Sequence, residues 1–440
     1  MIAKQLRKLI CLIPLLSLQC EGEKEKEIGE TIVIGTLFHS EVSPSAQMRL
    51  TAVEMAIEEI NTAGILPKLL HVVNLSPIDV NKTSGPKAKE QAKKLFDDYA
   101  AVAVIAPFGN FAQEIGKLTQ EPTYQDMVQC NISATDPLIN LPTIDTTGTI
   151  FRMPIDNAAH GRFIPRLIVD EGWGSVGIYY ADDDLGKTFK DTLLVGYPTL
   201  KLLGTFPTGT AEVSGAVKTI LDTIIQEKST AALVLGGNHV QVVPMVKYLV
   251  ESGFAGAIVI PEAAKTTDIF AFGSTLAAWQ TTPTNRLFAT EVDNFGGLAA
   301  QTFIDKFRTT YSITEELDLY VPNAYDCAYA IALAILYANQ EGDVTRTSIK
   351  KNFLKFTTEF RLPNDTAVSF GTEGYLAALA AIEAGGRVNY EGVAGSLYWD
   401  NNGDRIMQPI KVWQPTAGGV TWELHSKFQV VDQLFKKVAL

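Results

Sequence analysis

Short, wholly apolar runs alternate along this chain with longer stretches in which apolar residues recur every three or four positions. Thr31-Ile32-Val33-Ile34-Gly35 opens the series; Ala52, Val53, Ala56, Ile57 and Ile60 then recur at helical spacing, with Glu54, Glu58 and Glu59 between them. The unbroken run suits a strand buried on both faces, and the second pattern puts an apolar stripe on a helix. Gly64 and Pro67 predict where that helix stops. The same beat returns at 101–106 (AVAVIA) with a helix from Gln113, at 175–180 (SVGIYY) with a helix from Lys187, and at 231–235 (AALVL) with a helix to Val250. Alternation of this kind predicts right-handed βαβ units and doubly wound parallel sheets, an α/β fold. One set of units ends near Phe151-Arg152-Met153-Pro154, and a further apolar strand starts at Leu287 after Thr281-Thr282-Pro283-Thr284. The chain has 440 residues, more than the ~250–300 at which one hydrophobic core stops growing. Two Rossmann-like lobes are therefore expected.

The first twenty positions do not follow this pattern. Lys4, Arg7 and Lys8 precede the apolar stretch 9–18 (LICLIPLLSL), which is interrupted by Pro14 and too short to span ~30 Å of hydrocarbon. It reads as an export signal. Ser17-Leu18-Gln19-Cys20 and the charged string 21–27 (EGEKEKE) follow, the latter a solvated tether. A cysteine at the cleavage position ahead of a polar tether resembles a bacterial lipoprotein signal, with Cys20 as the lipidated residue. Gln19 is bulkier than the Gly or Ala usual before such a cysteine, and plain secretion is the alternative.

Charge and chemistry remove other classes. A net charge of -12 provides no basic field for phosphates, which argues against nucleic acid and against adsorption to anionic lipid. The 46% hydrophobic and 20% charged fractions are those of an ordinary globular protein. There is no GxGxxG after a strand, no GxxxxGK[ST], no HExxH and no GxSxG, so nucleotide, zinc-protease and hydrolase readings lack support, and no cofactor is expected. His39, His71, His160, His239 and His425 are scattered rather than spaced as metal ligands, and Asp182-Asp183-Asp184 lacks the alternation of a calcium loop. Of four cysteines, Cys11 falls in the signal and Cys20 at its end; Cys130 and Cys327 remain. An exported location permits a bridge between them. Two buried free thiols are expected, since Cys130 ends an apolar run and Cys327 lies in a helical one.

Four loops lie at predicted C-terminal strand ends, where open α/β sheets take ligands. They are Leu37-Phe38-His39-Ser40; the stretch 107–113 (PFGNFAQ), in which Asn110 and Gln113 have the spacing of a helix cap with its reciprocal partner; Ser133-Ala134-Thr135-Asp136-Pro137; and Pro261-Glu262-Ala263. Each also has an ordinary structural reading as a cap, a turn or a solvated acid.

In this order, and with Phe151-Arg152, Pro322-Asn323-Ala324-Tyr325-Asp326, 390–395 (YEGVAG) and 399–404 (WDNNGD), these landmarks resemble the type I periplasmic substrate-binding proteins of the branched-chain amino acid (leucine/isoleucine/valine) class of ABC importers. The resemblance runs from about residue 30 to the end. It implies two lobes joined by three hinge crossings near Pro154, Thr290 and Lys411: residues 30–154 plus 291–410 as lobe 1, and 155–290 plus 411–440 as lobe 2. It implies that Ser133 and Thr135, with Asn110 and nearby amides, hold a ligand carboxylate, and that Glu262 meets its ammonium. A zwitterion leaving water needs both charges paired. Where relatives place aromatics, this chain has Leu185 and Asn238, which points to a polar or larger amino-acid-like ligand; Phe38, Phe108 and Phe111 are candidates for the apolar wall. The implied function is an extracytoplasmic binding protein, periplasmic or at the cell surface, handing a small molecule to an ABC permease. A sensory binding protein of the same fold is the alternative. An enzyme using Glu262 and the 182–184 acids is disfavoured, because no nucleophile accompanies them.

Overall fold

The computed structural model describes residues 31–438 apart from 42, 80–81, 84, 136–143, 183, 197–200, 207–211, 238, 281–285, 358–361, 407, 417 and 432–433. Cys20, Asp136, Pro137 and Asn238 lie outside the described residues, as does the Leu185 side chain.

The first lobe is built from β1 (Ile32–Thr36), α1 (Pro44–Ala63), β2 (Leu70–Asn74), the small pair β3 (Ile78–Asp79) and β4 (Lys82–Thr83), α2 (Gly85–Asp97), β5 (Ala103–Ala106), α3 (Gly109–Leu118), β6 (Val128–Asn131) and β7 (Ile150–Arg152). Its strands pair in parallel in the order β2-β1-β5-β6-β7. The second lobe follows with α4 (Asn157–Asp170), β8 (Val176–Ala181), α5 (Asp184–Gly196), β9 (Lys201–Phe206), α6 (Gly215–Gln226), β10 (Ala231–Leu235), α7 (His239–Glu251), β11 (Ala257–Pro261), α8 (Gly273–Gln280) and β12 (Leu287–Val292). Here the parallel order is β9-β8-β10-β11-β12. The alternation of apolar runs thus predicts the architecture found.

The chain then returns to the first lobe as α9 (Ala300–Tyr311), α10 (Val321–Gln340), α11 (Arg346–Phe353), β13 (Thr366–Val368), α12 (Gly371–Glu383), β14 (Val388–Gly392) and β15 (Gly395–Ser396). It ends on the second sheet as β16 (Ile410–Pro415), β17 (Trp422–Val431) and β18 (Leu434–Val438), an antiparallel extension beside β12. By composition α10 is long and apolar enough to cross a membrane, but it is buried from Val321 to Ala338 and forms the centre of the first lobe's core.

Local chemistry moves two helix starts. Ser43 precedes Pro44 and accepts the Ala46 N–H at 3.3 Å, so α1 begins well before the apolar stripe at Ala52; Gly64, left-handed at φ 67°, ends it. The capping role expected for Asn110 does not hold. The N-cap of α3 is Phe108, without a side-chain cap bond, and Asn110 sits inside the first turn. The expectation of free thiols is also overturned: Cys130, at the end of β6, is bridged to Cys327 in α10, with Cα atoms 5.7 Å apart. Both residues lie in one continuous core that packs α10 against the sheet, and sequence separation conceals that contact.

Residues 153–156, 293–299 and 397–409 connect the two sheets. They brace one another. The Arg152 guanidinium pairs with Asp404 at 2.5 Å, Trp399 Nε1 donates to Arg152 O at 2.7 Å, and Arg405 donates to Met153 O (2.9 Å), Ala394 O (2.8 Å) and Ser396 O (3.0 Å). Asp293 lies between Lys411 and Lys427, each at 2.8 Å. Asp326 accepts from Tyr390 Oη (2.8 Å), Val393 N (2.9 Å) and Ala394 N (2.7 Å), and a Cβ on Gly392 would sit 2.4 Å from its Oδ2. The late sequence landmarks are therefore framework: 390–395 folds around Asp326, and 399–404 locks onto Arg152.

Candidate functional site

Strand order reverses between β1 and β5 in the first lobe and between β8 and β10 in the second. Beyond the C-terminal ends of strands at such a reversal, connections leave to opposite faces and open a crevice. The loops there carry most of the residues singled out from sequence.

In the first lobe, the loop after β6 is shaped by Asn131. Its Oδ1 accepts from Ser133 N (3.2 Å) and Ala134 N (2.7 Å), and its Nδ2 donates to Phe108 O at 2.9 Å. Ser133 is half-buried, and its hydroxyl donates to Pro107 O in the neighbouring loop after β5. Thr135 is half-buried at the end of the loop, and Asn110 is exposed in the first turn of α3, where backbone N–H groups precede any intrahelical acceptor. Phe108 is half-buried, edge-on to Phe111 (centroids 5.2 Å) and stacked with His39 (6.0 Å). Phe38 and Phe111 are fully buried in the core. Of the three rings proposed as an apolar wall, Phe108 alone keeps surface at the crevice.

On the second lobe, Glu262 follows β11 at the start of a short 3-10 turn. It keeps some surface open, while the protein around it strips away most of its water. Burial, with the Glu291 charge as the next cause, pushes its pKa up to about 7, against the Val292 N–H (3.4 Å) and Lys265, which favour the carboxylate. Lys265 is largely committed elsewhere, ion-paired with Glu291 and 4.1 Å above the Trp413 ring. Glycines shape the other two loops of this wall. A Cβ on Gly186, in α5, would meet Ala181 O at 2.2 Å, and Gly236 and Gly237 adopt φ of 76° and 79° after β10.

The structure adds residues that sequence reading missed. Tyr320, just ahead of α10 in the first lobe, has its hydroxyl pKa raised to about 12, chiefly by burial and next by the charge of Glu262 across the crevice. Arg49 of α1 stands 5.1 Å from the Tyr320 ring centroid and holds Asp318 through two bonds of 2.6 and 2.8 Å. Burial and the nearby Arg49 lower the pKa of His39. An aromatic immediately ahead of the Pro-opened helix 321–340 was the available signal for Tyr320. A separate open groove of about 560 Å³ on the surface, lined by Glu54, Ile57, Glu58 and His71 among others, lies toward the other end of α1 and contains none of these residues. Among the described residues no group of His, Cys, Asp and Glu could hold a metal ion.

No protein-family model matches the sequence, and no curated protein sequence matches it. Solved structures do. The branched-chain amino acid transporter substrate binding protein LivJ from Streptococcus pneumoniae, in complex with isoleucine, aligns over 93% of this chain and 100% of its own at TM-score 0.59 and 17% identity. A periplasmic binding protein type 1 from Bordetella pertussis aligns over 90% and 99% at TM-score 0.57 and 14% identity. A fatty acid ABC transporter substrate-binding protein from Thermomonospora curvata aligns over 90% and 91% at TM-score 0.57 and 14% identity. These neighbours are binding proteins rather than enzymes. At such identities the likeness is one of fold: the chain has the type I periplasmic binding protein fold.

Proposed function

We propose that the protein captures an amino acid or amino-acid-like small molecule between its lobes, outside the cytoplasm, for delivery to an ABC importer. The observation that carries this reading is Glu262. It is a carboxylate kept partly desolvated on the second lobe, close enough to the first for Tyr320 to feel its charge. Facing it, the Thr135 hydroxyl and the N–H groups in the first turn of α3 are what the first lobe offers a carboxylate, since the Ser133 and Ala134 N–H groups are already bonded to Asn131 Oδ1. Ser133 contributes mainly by shaping the loop, since its hydroxyl is bonded to Pro107 O. A zwitterion fits between the two walls with each charge met. An ammonium beside Glu262 returns it to its ionised form, which makes the acid a sensor of the amine. One neighbour was solved with isoleucine and another is named for fatty acid, unlike ligands on one fold; selectivity in this chain is assigned to Phe108, Leu185 and Asn238. Anchoring through Cys20 and hand-over to a membrane permease complete the proposal.

Native mass spectrometry of gently purified protein identifies the retained small molecule, and calorimetry with that compound tests the site. Glu262→Ala should weaken binding by roughly 2–5 kcal/mol, and Thr135→Val by about 1–3 kcal/mol. Binding of an amine-bearing compound with equal affinity by parent and Glu262→Ala would put the acid outside the site.

A further inference from the structure

Asn323, Asn294 and Gln408 are buried amides, each at most 2% exposed, that meet where the segments joining the lobes converge. Asn323 Nδ2 donates to Ile132 O at 2.8 Å, in the loop that carries Ser133 and Thr135, and to Asn294 Oδ1 at 3.2 Å. Asn294 belongs to the second crossing, and its Oδ1 also accepts from Gln408 Nε2 at 2.7 Å. Gln408 belongs to the third, and its Oε1 accepts the Ile155 N–H of the first at 3.2 Å. One amide side chain thus touches the other two crossings, and through Asn323 it reaches the ligand loop.

Burying an amide costs free energy unless it is paired, and apolar residues would fill the same space without that cost. What an amide adds is a donor and an acceptor on one rigid plane, which fixes both the spacing and the rotation of the segments it joins. It does so without placing a charge where the segments must turn. Asn323 Oδ1 is buried without a protein partner, so the cluster also holds an acceptor able to take a donor in a second arrangement of the crossings.

We propose that Gln408 is a positioning residue for ligand capture: it holds the three crossings in one register and so sets how the wall bearing Glu262 faces the 131–135 loop. This rests on the reading that a ligand is enclosed between the lobes. The test needs no ligand. Spin labels at Lys117→Cys on α3 and Lys247→Cys on α7, both exposed, report the interlobe distance distribution of the free protein by pulsed electron resonance. Gln408→Met keeps the bulk of the side chain and removes its bonds. Gln129→Met is the control, a buried amide that donates to Ala112 O at 3.1 Å within the first lobe. Both variants should melt at lower temperature, but only Gln408→Met should shift or widen the distribution. Gln408→Leu also removes both bonds without adding a charge and carries the test if the Met variant does not fold: it should shift or widen the distribution, and a parental distribution overturns the proposal. A Gln408→Met distribution superimposable on the parent, or an equal change in the Gln129→Met control, overturns the proposal. Failure of the ligand reading would appear separately, as unchanged binding on Glu262→Ala.

Discussion

Replacing Glu262 with Gln should stabilise the ligand-free protein while weakening its hold on an ammonium. The carboxyl titrates near 7 in the folded protein against an ordinary 4.5. At 1.36 kcal/mol per pH unit, keeping it ionised in the fold therefore costs about 3 kcal/mol. The sign follows from linkage: a raised pKa means that the folded state binds the proton more tightly than the unfolded chain. The penalty is absent below about pH 4.5, grows as pH rises, and is complete above about pH 7. Glutamine has nothing to ionise, and it also removes the repulsion with Glu291. Urea unfolding of ligand-free parent and variant should thus show a gap of about 3 kcal/mol near pH 8 that closes toward pH 4.5. Other raised acids such as Asp404 (about 7) and Asp326 (about 6) are common to both proteins and drop out of the difference. Calorimetry supplies the other half: parent affinity for an amine-bearing ligand should fall about tenfold per pH unit below 7, because the carboxyl must first lose its proton, and the variant should be weak and flat over that range. A pH-independent stability gap, or a parent more stable than the variant near pH 8, would refute the account of Glu262 as a desolvated acid awaiting a cation.

Three further outcomes are expected. Closing 197 residues of chain, the Cys130–Cys327 bridge constrains the unfolded state by up to about 5 kcal/mol, so the double variant Cys130→Ala/Cys327→Ala should show a large drop in its urea midpoint, and parental stability would show that the bridge contributes little. Gly186→Ala forces a Cβ onto the Ala181 carbonyl at 2.2 Å, a backbone atom that cannot swing aside, so a lower melting temperature and weaker capture should appear together; a variant with parental values would mean that the α5 start shifts freely. Cys20→Ala should move the protein from the membrane fraction to the soluble one, since stable anchoring needs more than one acyl chain, and retention through a high-salt wash would refute the anchor.

The legible part of the fold was the part written as local pattern. Runs such as 103–106 and 231–235 are apolar at every position because both faces of a parallel strand are covered, and that alone marks the strand without knowledge of its neighbours. Helix starts were less legible: α1 begins where Ser43 and Pro44 permit, not where the apolar stripe becomes continuous, and Asn110 has the spacing of a cap but sits within the first turn, two residues past the Phe108 cap. Within the site, Glu262 stood out as an acid directly after an apolar strand. Tyr320 did not, because its importance comes from Arg49 behind it and Glu262 across from it, residues far apart in sequence.

Sequence by itself determined the α/β alternation and the loops at the strand ends, because each depends on residues close together along the chain. Tertiary structure decided that Cys130 and Cys327 are bridged and that Phe38 and Phe111 belong to the core while Phe108 faces the crevice. It also turned Asp326, Arg152 and Gln408 into braces of the framework. Those outcomes rest on contacts spanning tens to hundreds of residues, and such contacts depend on how sheets, helices and crossings pack in space, which spacing along the chain does not encode.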